Sequence, residues 1–357
     1  MKINHLARIN ILKLNPYQSA RKLGGKGNIW LNANEAPTSF TYINKNYNNL
    51  NRYPDCQPKT IIRNYASYAG VQPDQILVSR GADEGIELLM RAFCEPNKDA
   101  IIFCPPTYGM YNICAETLGI KRHIIPSIAN TNWQLDLPAI NLKLKNVKLI
   151  YICNPNNPTG NIINQYDIKK LLHLINNRAL LIIDEAYIDF CLHASLVSWL
   201  SKFSNLVILR TLSKAFALAG LRCGFTIANA EIIKLLLKVI TPYPLPSLVI
   251  DIAEQALTKK GLSQTNKRIN TINKNRNYLA QELTKCPCIK QVFPSVSNYI
   301  LIKVYPQYEV FKKLWNMGII LRDQSKQLGL SNCIRITIGT YQECKYVANI
   351  LQQLNTT

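Results

Sequence analysis

Five short apolar runs, each ending in a polar turn, constrain this chain more than any other feature. They are Gln75–Ser79 (QILVS), Ala100–Cys104 (AIIFC), Val147–Cys153 (VKLIYIC), Ala179–Ile183 (ALLII) and Asn205–Leu209 (NLVIL). Runs this continuously apolar predict strands buried on both faces, which occur where helices cover both sides of a parallel sheet. After the first run, Ile86, Leu89, Met90 and Phe93 recur at the i, i+3, i+4, i+7 spacing of a helix stripe. The expected fold class is therefore α/β, with a mainly parallel sheet between helices. In such sheets ligands bind beyond the carboxyl ends of the strands, so chemistry is expected in the polar residues that follow each run.

Downstream the texture changes. Pro242, Pro244 and Pro246 interrupt the chain after a helical Glu231–Ile240. A long polar helical stretch follows, then a strand at Tyr299–Val304, a helix at Tyr308–Met317 and a strand at Cys333–Ile338. A chain of 357 residues usually divides into about two domains. We expect an Asn-, Gly- and Pro-rich arm over residues 1–45, a large domain over 46–250 and a smaller α+β domain over 251–357. Apolar runs such as Leu235–Ile240 fall far short of the roughly 20 residues of a membrane span, so no membrane partner is expected. Met1–Leu14 lacks the clean apolar centre and small-residue cleavage site of a secretory signal.

Charge is the oddity. Forty-two Lys and Arg stand against 21 acidic residues, a formal net charge of +21. That balance favours polyanion partners when the charge is concentrated in a stripe or tail. Here the longest basic clusters are dipeptides such as Lys169-Lys170, Lys259-Lys260 and Lys312-Lys313. Richness in Asn, Ile and Lys, all read from A/T-rich codons, explains the basicity by composition, and nucleic acid is not an expected partner. A basic polyanion-binding protein remains the non-enzyme alternative. The 11 cysteines are odd in number and form no framework, and Cys104, Cys153 and Cys223 lie in or beside apolar runs. They read as reduced core residues, which points to the cytoplasm. The four histidines, His5, His123, His173 and His193, stand apart from other ligand-type clusters, so no metal site is expected.

Each strand end carries a candidate. Arg80-Gly81-Ala82-Asp83 opens a helix whose N-terminus favours an anion, although an ordinary helix capped by Asp83 fits equally well. Pro105-Pro106-Thr107-Tyr108-Gly109 offers an aromatic on rigid backbone, suited to stacking on a planar ring or to simple burial. Asn154–Gly160 (NPNNPTG) presents the Asn157 amide, and Asp184-Glu185-Ala186-Tyr187 sets a carboxylate against the end of a buried strand. A carboxylate there is costly unless a cation faces it. The fifth run leads into Arg210-Thr211-Leu212-Ser213-Lys214, and Arg222 lies eight residues beyond the lysine.

Together Asn157, Asp184, Tyr187, Lys214 and Arg222 meet the needs of pyridoxal phosphate. A lysine amine bonds its aldehyde, a carboxylate keeps its ring nitrogen protonated, an amide and a phenol bind its 3-oxygen. Arginine, hydroxyls and a helix N-terminus hold its phosphate. No P-loop competes, because Gly24-Gly25-Lys26-Gly27 lacks the required spacing.

Asn154–Gly160, Asp184–Tyr187 and Ser213–Phe225 (SKAFALAGLRCGF) resemble the fold-type I aminotransferases. Asn15–Gly25, Trp30–Pro37, Asn51–Pro58, Val78–Cys94, Cys104–Tyr111, Gly318–Asp323 and Ile334–Thr340 narrow the resemblance to the bacterial histidinol-phosphate aminotransferases. The similarity runs from about residue 15 to residue 345, with no departure at the positions that follow. It implies that Lys214 is the Schiff-base lysine, that Asp184 faces the ring nitrogen, and that Asn157 and Tyr187 hold the 3-oxygen. It further implies that Tyr108 stacks on the ring and that Ala82, Asp83, Thr211, Ser213 and Arg222 bind the phosphate. Tyr53, in the RYP sequence, is implied to reach the cofactor of a neighbouring subunit, making the enzyme a homodimer with interface active sites. Arg322, Arg335, Tyr17 and Asn34 are the implied substrate contacts. The implied reaction exchanges an amino group between histidinol phosphate and 2-oxoglutarate, giving imidazole-acetol phosphate and glutamate, in histidine biosynthesis. An aminotransferase for another amino acid, or a decarboxylase of a phosphorylated one, shares nearly all these contacts and is the alternative.

Overall fold

The computed structural model describes residues 27–39 and 50–354. Its centre is a seven-stranded sheet made of β2 (Ile76–Ser79), β3 (Ala100–Phe103), β4 (Lys121–Ile124), β5 (Val147–Cys153), β6 (Leu180–Asp184), β7 (Leu206–Thr211) and β8 (Gly224–Ala228), with spatial order β2-β8-β7-β6-β5-β3-β4. The expected parallel sheet is present with one difference. β8 runs antiparallel to both β2 and β7, pairing Gly224 with Ser79 and with Thr211. Its amino end therefore lies at the same sheet edge as the carboxyl ends of the parallel strands.

The continuous apolar runs divide between two cores, because successive side chains of a strand point to opposite faces. On β5, Leu149, Tyr151 and Cys153 join one core while Ile150 and Ile152 join the other. Helix α2 (Gly81–Phe93) seals the first face with Ile86, Leu89 and Met90, all fully buried. Helix α3 (Met110–Leu118) adds Tyr111, Cys114 and Ala115 to that face. Helices α1 (Lys59–Ala69) and α5 (Gln165–Leu174) cover the opposite face, through Ile61 and Tyr65 and through Ile168, Leu171 and Leu172. Each of these buried aliphatic side chains contributes roughly 1.5–3 kcal/mol.

A second, four-stranded antiparallel sheet has the order β12-β13-β10-β9, from β9 (Ile289–Val292), β10 (Tyr299–Val304), β12 (Arg322–Asp323) and β13 (Cys333–Thr337). The 25-residue helix over Lys259–Leu283 and the helix over Tyr341–Gln353 pack together beside it. Within the N-terminal segment, β1 (Ile29–Trp30) pairs in parallel with β11 (Ile319–Ile320), and Thr337 N–H donates to the Leu31 carbonyl at 2.9 Å. Residues 29–31 are thereby anchored on strands of the C-terminal part of the chain.

Candidate active site

One cleft lies across the carboxyl edge of the seven-stranded sheet. It encloses about 590 Å³, solvent included, and its lining includes Ala82, Asp83, Tyr108, Asn157, Asp184, Tyr187, Thr211, Ser213, Lys214 and Arg222. Ten residues spread over 140 positions converge because strand ends converge.

The floor is set by hydrogen bonds between loops. Asn156 donates from Nδ2 to the Pro106 carbonyl at 2.8 Å and accepts from Thr107 at 2.9 Å, tying the loop after β5 to the loop after β3. Tyr299 of β10 donates to the Asn156 carbonyl at 2.7 Å, so the second sheet also fixes this turn. Asn157 is held beside it and accepts from the Arg335 guanidinium. Asp184 ends β6 only 3% exposed, with Tyr111 donating to Oδ2 at 2.7 Å and the Ala186 N–H donating to Oδ1 at 3.1 Å. Burial pushes its carboxyl up from 3.8 to about 6, against the pull of those two hydrogen bonds.

Lys214 extends towards Tyr187, with Nζ 5.8 Å from the ring centroid, and donates to the Ala33 carbonyl at 3.2 Å. Burial, then the nearby Arg335 charge, lowers its ammonium to about 8. Tyr187 accepts from Asn34 Nδ2 at 3.0 Å, and burial raises its phenol, so it stays protonated at neutral pH.

At the far end of the cleft, two glycines create a narrow cup. A Cβ on Gly224 would stand 2.4 Å from the Ala82 nitrogen, and one on Gly81, at φ +77°, 2.5 Å from the Arg222 guanidinium. Only glycine lets β8 approach the start of α2 this closely. Thr211 and Ser213 bond each other through their hydroxyls at 2.8 Å, and Arg222 lies 3.4 Å from Ser213 Oγ. Thirteen-residue α2 opens here, and its unpaired N–H groups with two hydroxyls and one guanidinium make a donor set suited to a phosphate. The capping expectation for Asp83 is corrected: Arg80 is the N-cap residue of α2, and Asp83 lies in the first turn. Its carboxylate accepts from Tyr108 at 2.9 Å and pairs with Arg222 at 3.2 Å, so its charge is met by a cation.

A carboxylate at one end, a lysine amine partway along and a phosphate-shaped donor cup at the other match the three reactive parts of pyridoxal phosphate. The residues present fit that group.

The expected substrate contacts gather one layer out. Arg335 of β13 is 7% exposed, donates to the Asn32 carbonyl at 3.0 Å, and stands directly across the strand pair from Arg322. Guanidinium groups on paired strand residues are placed to grip one carboxylate or phosphate between them. Asn34, at φ +53° and 1% exposed, bonds Tyr187 and Thr337. Tyr53 is not brought to this cleft: it is 80% exposed and stacks on Tyr243 at 4.4 Å. Tyr17 lies outside the described residues.

Sequence reasoning missed a buried ionic cluster directly behind the site. Glu185 accepts from Arg210 Nε at 2.9 Å, from Ser195 at 3.1 Å and from the Leu196 N–H at 2.7 Å. Tyr68 of α1 donates to the neighbouring Asp189 at 2.6 Å. Glu185 follows Asp184 and Arg210 precedes Thr211, so the pair bolts together the two strand ends that carry cleft residues. Removing one partner of such a pair strands the other charge in the core at a cost of about 3–5 kcal/mol. The signal was available, since Arg210 abuts one apolar run and Glu185 lies one residue beyond another.

Residues 28–351 match the family described as aminotransferase class I and II. The histidinol-phosphate aminotransferase of Blochmanniella pennsylvanica is 64% identical, over 99% of this chain and 98% of that protein. That of Sodalis glossinidius is 62% identical over 99% and 98%. Among solved structures, the histidinol-phosphate aminotransferase of Clostridium acetobutylicum superposes with a TM-score of 0.78 at 27% identity, covering 85% of this chain and 90% of that one. The enzyme of Sinorhizobium meliloti in complex with pyridoxal-5'-phosphate shares the fold, with a TM-score of 0.81 at 19% identity over 97% and 96%. A match that spans both sheets and every strand end of the cleft leaves one conclusion: the chain belongs to the class I and II aminotransferases.

Proposed function

We propose that this chain is a pyridoxal-phosphate-dependent histidinol-phosphate aminotransferase of histidine biosynthesis, exchanging an amino group between histidinol phosphate and 2-oxoglutarate. The observation that carries the reading is identity of 62–64% to proteins of that name over 99% of the chain. The cleft supports it with a suitable group for each task.

When bound, pyridoxal phosphate would supply an aldehyde to carry the amino group and a ring to accept the electron pair left at the substrate's α-carbon. Lys214 is the base and acid: an amine lowered to about 8 is partly neutral under working conditions and moves the proton at the substrate's α-carbon. Asp184, charged above about pH 6, holds the ring-nitrogen proton. Asn157 and Tyr187 orient the 3-oxygen, Tyr108 covers the ring, and Ala82, Asp83, Thr211, Ser213 and Arg222 hold the phosphate, the first two through backbone N–H. Arg335 and Arg322, with Asn34 and Tyr17, bind the anionic end of the substrate, since a forked guanidinium accepts carboxylate and phosphate alike.

The chain acts as a homodimer in this reading, with Tyr53 completing the partner's site, and its large exposure suits that use. The division at residues 45 and 250 is kept, supported by central strands that all fall between 76 and 228 and by an arm strand that pairs with β11. Eleven cysteines outside any disulfide favour the cytoplasm.

Purified holoenzyme offered a panel of amino donors with 2-oxoglutarate should favour histidinol phosphate in kcat/KM by about 10²-fold or more over unphosphorylated amino acids, because a site that binds the phosphate through two arginines rejects donors lacking it. A preference for an unphosphorylated donor, or carbon dioxide release from a phosphorylated amino acid, would overturn the assignment. Sedimentation should give twice the chain mass of 40.5 kDa; a monomer with full activity would remove Tyr53 from the site.

A further inference from the structure

Asp184 and Glu185 are adjacent buried carboxylates that are partnered differently. Glu185 has Arg210, but among the described residues no basic side chain forms an ion pair with Asp184. The charges that do reach it, Asp83 from α2 and Glu185 next in the chain, have its own sign. One backbone N–H and one side chain support it, and that side chain is Tyr111 of α3, fully buried, donating its hydroxyl at 2.7 Å. The Cys153 thiol lies beside the same hydroxyl and, raised by burial, stays protonated. The Tyr111 ring is gripped from both sides, stacked on Tyr151 at 5.1 Å and edge-on to Tyr108 at 5.8 Å. A single residue thus contacts both the carboxylate proposed to face the ring nitrogen and the aromatic proposed to cover the ring.

We propose that Tyr111 is a positioning residue of the reaction, whose hydroxyl holds Asp184 in its charged form and in the rotamer that meets the ring nitrogen. The inference rests on the proposed place of Asp184 beside the cofactor. A hydrogen bond to the charged form of an acid stabilises that form, and in a buried site without a cation its share is large. Tyr111 lies in Cys104–Tyr111, yet nothing in that run marks its hydroxyl as distinct from that of Tyr108.

Tyr111→Phe keeps the ring and its packing and deletes only the hydroxyl. In the full-length holoenzyme, cofactor release followed by loss of visible absorbance should accelerate about tenfold at pH 7. The acid limb of both cofactor retention and the glutamate half-reaction should move up by about one pH unit, because Asp184 then takes a proton more readily. Tyr151→Phe is the matched control: it removes a buried hydroxyl from the adjacent stacked ring, but that hydroxyl serves the Ile86 carbonyl at 2.9 Å. It should leave the acid limb in place. An unmoved limb in Tyr111→Phe, or an equal shift in both variants, overturns the inference. If Asp184→Asn leaves cofactor binding unchanged, the underlying reading of Asp184 fails instead, and the two failures are separable.

Discussion

Replacing Lys214 with alanine should abolish turnover and the visible absorbance of the cofactor in the same sample. The expected loss is about 10⁴-fold or more, since the variant lacks the amine proposed as both covalent tether and proton-transfer group. The tertiary setting explains why no neighbour substitutes. Tyr187 lies beside it, with its ring centroid 5.8 Å from Nζ, and burial raises its phenol, so it does not act as a base near neutral pH. Among the described residues, the cleft lining contains no other lysine and no histidine. A Lys214→Ala chain retaining both signals would sink the assignment of this residue.

Asp184→Asn should cut kcat by about 10²–10⁴-fold, the loss of a buried charge pair of about 3–5 kcal/mol proposed between this carboxylate and the cofactor's ring nitrogen. The same substitution should act oppositely on the cofactor-free chain. There Asp184 has a folded value of about 6 against 3.8, so its ionised form opposes folding above pH 6, and that opposition disappears as pH falls through 6 towards 3.8. Asparagine removes the opposition at pH 7–8, worth up to about 3 kcal/mol by the size of the shift. Thermal unfolding should therefore show the cofactor-free variant at least as stable as the parent while the loaded variant is less stable than its parent. A destabilised cofactor-free variant, or an unchanged kcat, contradicts the role given to this carboxylate.

Much of this was legible in the sequence because the signals are short-range. Strand β5 coincides with its expected run, Val147–Cys153, and β10 with Tyr299–Val304. The alternation of strand and helix stripe states locally which faces are buried. β8 escaped notice since Gly224–Ala228 follows glycine-bearing turns and reads as the tail of the Lys214 motif, and nothing local says that it runs antiparallel. The helix expected over Glu231–Ile240 occupies Ala230–Leu236, where Asn229 caps it and its side chain accepts the Glu231 N–H. Capping chemistry, which the apolar spacing does not register, shifted its start.

By itself the sequence determined the strand-end chemistry. The proposed catalytic lysine, carboxylate, amide and phenol are legible because each sits in the short polar turn that follows an apolar run, and the end of a buried parallel strand is a fixed place in space. Tertiary structure alone decided what those groups touch. Arg335 reaches Asn157 across 178 positions, Asn34 reaches Tyr187 across 153, and Tyr111 reaches Asp184 across 73. Such partners depend on strand order, on the reversal of β8 and on the docking of the second sheet. Those are outcomes of the whole core's packing, in which no single segment carries the information, whereas burial of each strand is written in its own few residues.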